Sequence, residues 1–285
     1  MLKLFIAILL AITPCHSSAQ EVLIFLRDDR IDESSGIDCS YERASAVWTH
    51  NDSGGKDRAY LIDLKTGKTV GDLEIKKSDN RDWEDIATFR IDDTAYLMIC
   101  DVGDNSRKRK NYQLCILREP VFDKSVESRK SEDWLNIEFT YEDGPRNSES
   151  VAVDTEAGKI FLVEKISPES EGTPGIYELP LPKSLTGPKQ TLVAKRVGEI
   201  SIKNLTGMDI SEDGQSLVLR NYVYASVFKK RQSQSWADVL GGEKPIPIPL
   251  PLQPQGEGIC FSQDGKSVIL SSEKVKQPIW RVPIP

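Results

Sequence analysis

The sequence predicts an all-β fold, a five-bladed β-propeller with four-stranded blades, on three observations. A short pattern recurs five times, at intervals of 49, 65, 57 and 51 residues, and strand-rich repeats of that period suggest propeller blades. Each copy leads into a turn, Gly-containing at 155–158, 211–214 and 262–265, and into further short apolar runs. The last unit is one strand short, while a strand with no partner of its own precedes the first.

The pattern is clearest at Asp82-Trp83-Glu84-Asp85-Ile86-Ala87. Aligned on Glu84, the other copies are Glu33-Ser-Ser35-Gly-Ile-Asp38, Asn147-Ser-Glu149-Ser-Val-Ala152, Asn204-Leu-Thr206-Gly-Met-Asp209 and Gln255-Gly-Glu257-Gly-Ile-Cys260. The central residue always bears oxygen. The residue two before it is polar and the residue two after it is apolar.

In chain order, residues 1–19 read as a signal peptide: Lys3, an apolar core over 4–12, and the small-residue site Ser17-Ser18-Ala19. An uncleaved anchor is the competing reading, and Cys15 offers a lipoprotein alternative that Pro14 fits poorly. The protein is therefore expected to be secreted or periplasmic. Residues 20–285 form a single propeller domain, with inner strands beginning near 35, 84, 149, 206 and 257. Second strands are expected at 46–49, 95–100, 159–163, 216–219 and 267–271, and third strands at 60–64, 112–117, 175–179, 223–228 and 278–282. Fourth strands are expected at 69–75, 134–141, 191–197 and 245–250. The last alternates Pro with Ile or Leu, which confines it to an outer edge because Pro cannot donate to a ladder. The N-terminal strand at 21–27 would complete the fifth blade and close the ring, removing an exposed edge. A polar insertion around 123–133 accounts for the longest interval, and no helix competes with this plan.

A chain of 285 residues with 28% charged and 39% hydrophobic residues is ordinary for a globular protein. Its net charge of −7 argues against nucleic-acid partners, and beyond the N-terminus no apolar run is long enough for a membrane span. A monomer is expected. Of the cysteines outside the signal, Cys39, Cys100, Cys115 and Cys260, none has framework or metal-ligand spacing. A Cys100–Cys115 cross-strand bridge competes with the favoured reading of buried thiols. The only histidines are His16 and His50, which excludes a multi-histidine zinc site. No G-x-S-x-G elbow, P-loop or dinucleotide fingerprint is present.

Alternation along an inner strand would place three polar and apolar tiers around one axis. The second strand returns to the same mouth with His50-Asn51-Asp52, Asp101, Glu164-Lys165, Arg220-Asn221 and Ser272-Glu273. Three carboxylates roughly 5 Å apart would repel by about 3 kcal/mol per pair at an effective dielectric near 20. A cation between Glu84, Glu149 and Glu257, or retained protons, would relieve this. An all-oxygen set of Ser35, Glu84, Glu149, Thr206 and Glu257 suits Ca²⁺. The bland alternative is that these side chains only hydrogen-bond to a neighbouring blade's backbone.

That succession of Ser, Glu, Glu, Thr and Glu, one per blade, resembles the soluble calcium-activated nucleotidases (apyrases), with a looser match at His50-Asn-Asp-Ser-Gly54. The resemblance covers the repeat skeleton rather than continuous sequence. It implies a five-bladed propeller with an axial calcium. The segments 50–54 (HNDSG), 82–87 (DWEDIA) and 101–105 (DVGDN) also resemble motifs of uncharacterised secreted bacterial propellers, a resemblance that brings no reaction with it.

Asp101-Val-Gly-Asp104-Asn105 could hold a second calcium, or could be a tight Gly turn with Asx hydrogen bonds. The basic run at 107–110 reads as a solvated loop by default. With Lys165 and Arg220 it would give the mouth a basic rim suited to a small anionic ligand. Two functions remain open. One is a calcium-dependent hydrolase of a phosphoanhydride, phosphoester or lactone. In it His50, Asp52 or Asp101 would serve as base, Arg220 would neutralise charge, and Lys165, Arg220, Asp82 and Glu273 would hold substrate. The other is a non-catalytic module that binds a ligand or an unknown protein partner, with a structural axial calcium.

Overall fold

The computed structural model describes residues 20–122, 127–231 and 233–285; the signal segment expected at 1–19 lies outside them. The strands fall into five runs. The first is β1 (Glu21–Phe25), then β2 (Ser34–Cys39), β3 (Ala46–Asn51), β4 (Arg58–Asp63) and β5 (Thr69–Ile75). The second is β6 (Trp83–Ile91), β7 (Thr94–Asp101), β8 (Tyr112–Arg118), β9 (Glu127–Ser131) and β10 (Leu135–Tyr141). The third is β11 (Ser148–Asp154), β12 (Lys159–Glu164), β13 (Gly175–Pro180) and β14 (Gln190–Glu199). The fourth is β15 (Leu205–Ile210), β16 (Ser216–Asn221), β17 (Tyr224–Lys229), the helix α1 (Trp236–Gly242) and β18 (Ile246–Pro249). The fifth is β19 (Gly256–Phe261), β20 (Ser267–Ser272) and β21 (Pro278–Pro283).

The result is all-β and propeller-like. Strand β1 pairs antiparallel with β21, so the unpartnered first strand supplies the one missing from the last unit. Among the inner strands, β2 packs on β6, β6 on β11, β11 on β15, β15 on β19, and β19 back on β2. Hydrogen bonding divides the sheets differently from the expected five sets of four. The four sheets have orders β1-β21-β20-β19, β15-β16-β17-β18, β2-β3-β4-β5-β9, and an eight-stranded β11-β12-β13-β14-β10-β8-β7-β6. Two parallel pairings cause this. Outer strand β10 pairs with β14, fusing two units, and β9 from the polar insertion pairs with β5. Both cover edges that would otherwise be exposed. The Pro-Ile alternation does sit on an edge strand, β18.

The core lies between successive units, where apolar second and third strands meet their neighbours. Trp48, Leu61, Trp83, Ile86, Leu97 and Cys115 pack together in one such layer. Cys100 belongs to the layer on the other side of its sheet, with Met98, Tyr112 and Leu114. The two thiols therefore face opposite ways, and all four described cysteines are free. Helix α1 was not expected. It is seven residues long, capped by Ser235 Oγ accepting from Asp238 N, and it buries Trp236, Val239 and Leu240 under the third and fourth units. Its short apolar set lay inside a loop too brief to show a helical period. No described helix is long and apolar enough to cross a membrane.

Candidate metal centre

The repeat's central residues share a backbone irregularity. Pairing with the second strand slips between Ser34 and Ile37, Trp83 and Asp85, Ser148 and Ser150, Leu205 and Gly207, and Gly256 and Ile259. Ser35, Glu84, Glu149, Thr206 and Glu257 thus sit in a bulge at the head of each inner strand. A bulge re-aims side chains and interrupts the simple alternation assumed from sequence.

Only one of the five joins a cluster of metal-ligand type. Among the described residues, carboxylate oxygens of Asp52, Asp82 and Glu84 lie within 4.8 Å of one another. Three sequence motifs meet here. Asp52 follows β3, Asp82 and Glu84 open β6, and Gly103 follows β7. A Cβ on Gly103 would collide with Glu84 Oε1 and the Asp82 carboxylate, so the cradle requires glycine. Asn80 braces the loops: its Nδ2 donates to Asp52 O (3.1 Å), and its Oδ1 accepts from Trp83 N (3.2 Å). Asp101 Oδ1 accepts from Asp82 N at 3.0 Å, and Gly103 N donates to Asp82 O at 3.2 Å.

What sets this cluster apart from other buried acids whose carboxyls are also raised, such as Asp85 and Asp209, is its lack of donors. Glu84 is 3% exposed, and among the described residues no donor or cation reaches its carboxylate. Burial, and then Glu149, Asp52 and Asp82, push its carboxyl well above the usual range. Burial and Asp52 raise Asp82 to about 6. Three carboxylates supply the hard oxygen donors that a divalent cation such as Ca²⁺ takes, and a cation among them would remove the repulsion.

The other members of the expected axial set are engaged elsewhere. Ser35 Oγ donates to Glu84 O (2.7 Å) and Thr206 Oγ1 to Glu257 O (3.2 Å), as in the bland reading. Glu149 pairs with Lys165 Nζ, and its carboxyl is lifted by burial to about 7 against the pull of that cation. Glu257 Oε1 accepts from Tyr222 OH (3.2 Å), while its buried Oε2 has no partner. Lys165 also donates to Tyr222 OH at 3.0 Å.

Several proposed catalytic and binding residues are placed away from open solvent. His50 is fully buried, edge-on to Trp83, with Nδ1 3.0 Å from Asn51 O and Nε2 unpartnered; burial lowers its pKa. Arg220 is 1% exposed and donates to Gly258 O (3.0 Å) and Gln253 Oε1 (3.1 Å), with burial lowering it to about 9. The notion of Arg220 as a mouth cation is thus corrected. Its guanidinium occupies the space that a Cβ on Gly256 would need. Asp101 holds Arg109 through two bonds of 2.7 and 2.9 Å. Asp104 accepts from Lys108 N, Arg109 N, Ser106 Oγ and Tyr112 OH. These donors fill the place of a second calcium, so the Asx-turn alternative describes the 101–105 segment. The basic run is also partly internal, since the Arg109 side chain is 9% exposed, while the exposed Arg107 pairs with Glu164 at 3.1 Å. Glu273 accepts from Gln255 Nε2 (2.5 Å), and burial followed by Glu257 raises it to about 7.

Sequence reasoning passed over Gly103, Asn80, Arg109 and Tyr222. The spacing of Asp101 and Arg109 was a usable signal, but the arginine was hidden in a basic run that reads as solvated.

Fold and site together define a propeller-like all-β protein with an uncompensated acidic cluster at one mouth. No family model matches the chain, and no curated protein does. Among solved structures, it is similar to hydrazine synthase of Kuenenia stuttgartiensis, at 12% identity and TM-score 0.43, over 84% of this chain and 68% of that one. It is also similar to XC5397 of Xanthomonas campestris, described as a gluconolactonase, at 11% identity and TM-score 0.47, over 93% and 89%.

Proposed function

We propose that the protein is an exported five-bladed propeller that binds Ca²⁺ through Asp52, Asp82 and Glu84 and hydrolyses a neutral ester of lactone type. The observation carrying this is the carboxylate cluster within 4.8 Å around a buried Glu84 that no donor or cation compensates. Bound there, the ion would act as a Lewis acid toward an ester carbonyl and an attacking water. Gly103 and Asn80 keep the three carboxylates converged, and Asp101 fixes the Asp82 backbone. Glu273, held by Gln255 and with a carboxyl near 7, is the residue suited to take the proton of the attacking water. The ester C–O bond then breaks and that proton passes to the leaving oxygen.

Charge selects the substrate class. The cations expected to receive a phosphate are withdrawn: Lys165 into Glu149 and Tyr222, Arg220 into backbone carbonyls. What faces the cluster is acidic, which disfavours the nucleotide substrate implied by the apyrase resemblance. The same withdrawal of His50 and Arg220 favours a second reading, a non-catalytic binding module in which calcium orders the mouth.

Calorimetric titration with Ca²⁺, followed by hydrolysis assays on lactones and nucleoside diphosphates, tests both. We expect binding that Glu84→Gln abolishes, and chelator-sensitive lactone hydrolysis with no phosphate release. Binding without any hydrolysis would leave the second reading. Absence of both calcium uptake and a chelator effect on melting would end the metal proposal.

A further inference from the structure

Successive repeats are joined on a common register. The residue three places after the central position faces the residue four places after it in the next repeat. Asp38 Oδ2 accepts from Thr88 N at 2.5 Å on this rule, and Asp209 Oδ2 from Phe261 N at 2.7 Å. At the joint that closes the ring, between β19 and β2, the same rule pairs Cys260 with Cys39. The structure agrees with it. Cys39 Sγ donates at 3.3 Å to the carbonyl of Phe261, the residue that follows Cys260. Two residues earlier on each strand, a Cβ on Gly258 would stand 3.0 Å from Ile37 N, so the backbones approach closely here. Cys260 is fully buried, whereas Cys39 is partly exposed and lines cavities of about 390 and 350 Å³.

We propose that Cys39 and Cys260 form a disulfide that locks the closing joint once the protein meets a small disulfide or a disulfide-exchange enzyme. The accessible Cys39, as thiolate, attacks one sulfur of the donor disulfide and expels the first donor thiol. Cys260, losing its proton, then attacks Cys39 Sγ and expels the second. Two thiols are oxidised, one donor disulfide is reduced to two thiols, and the two protons go to those leaving groups. Each of the other four joints already has a carboxylate tie. Asp38 and Asp209 serve the first and fourth, Asp85 ties the second to the third repeat by accepting from Val151 N at 2.8 Å, and Asp154 ties the third to the fourth by accepting from Lys230 Nζ at 3.1 Å. The covalent link spans most of the chain and so removes much loop freedom from the unfolded state.

The test is to incubate the purified full-length protein with oxidised glutathione, alkylate it under denaturing conditions and map its peptides. We expect a linked pair of peptides containing Cys39 and Cys260, an intact mass lower by two hydrogens, and unmodified Cys100 and Cys115. The melting midpoint should rise by on the order of 5–10 °C and return when reductant is added. Cys39→Ser and Cys260→Ser should each remove both effects, and the wild-type peptide map decides the matter even if a variant folds poorly. Alkylation of both Cys39 and Cys260 after oxidation, or glutathione retained on Cys39 without a link to Cys260, would overturn the proposal.

Discussion

Two sets of buried and half-buried carboxylates around the inner strands stand in opposite circumstances. Asp38, Asp85 and Asp209 each accept a backbone N–H from the next repeat. Those carboxylates act as staples between units. The carboxylates of Asp52, Asp82 and Glu84 instead converge, and among the described residues the only donor they receive is the N–H of Ser53, next to Asp52. A buried acid whose oxygens are filled by N–H groups belongs to the framework. One left without donors, beside two others, has no such framework partner among the described residues.

The largest effect should come from moving a compensated acid into the uncompensated class. Arg109→Ala strips Asp101, 2% exposed, of its guanidinium and should cost about 3–5 kcal/mol in denaturant unfolding. A loss under about 1 kcal/mol would mean that Asp101 sits comfortably alone, and the distinction between compensated and uncompensated acids would break. Next is Asp85→Ala, which leaves the N–H groups of Ile86 and Val151 without acceptors and should cost about 2–4 kcal/mol. Asp85→Asn, which keeps one acceptor oxygen, should recover part of that in the same melts.

A smaller, pH-dependent effect belongs to Asp209. Desolvation raises its carboxyl from 3.8 to about 8. A folded-state pKa above the unfolded one gives stability that is complete below about pH 4 and lost as pH rises toward 8. Asp209→Asn keeps an acceptor for Phe261 N and should flatten that part of the stability–pH profile. If wild type and variant show the same slope between pH 4 and 8, the carboxyl is ionised throughout. The smallest effect is expected at Glu84. In calcium-free buffer Glu84→Gln should change stability by less than about 1 kcal/mol, because burial already disfavours the charged form of Glu84 and the amide keeps its shape. Its melting point should no longer respond to calcium or chelator, whereas that of wild type should.

Periodicity gave away the architecture because every repeat must bury the same faces. The Gly turns and the apolar second and third strands placed most strands within a residue or two. Strand β9 and the β10–β14 fusion were illegible, since parallel pairing of outer edges depends on where two distant polar segments come to lie. Helix α1 was too short to leave a period. Of the site, Asp52, Asp82 and Glu84 were each singled out, but in three separate roles. Burial of His50 and Arg220, and the pairing of Lys165 with Glu149, could not be read from the order of residues.

The sequence by itself determined a repeating all-β chain closed by its own first strand, because alternation and turn chemistry are local. Tertiary structure alone decided which acids are neutralised and which are left to share one place. Charge compensation is a matter of distances of a few ångströms between residues tens of positions apart, and only the folded ring sets them.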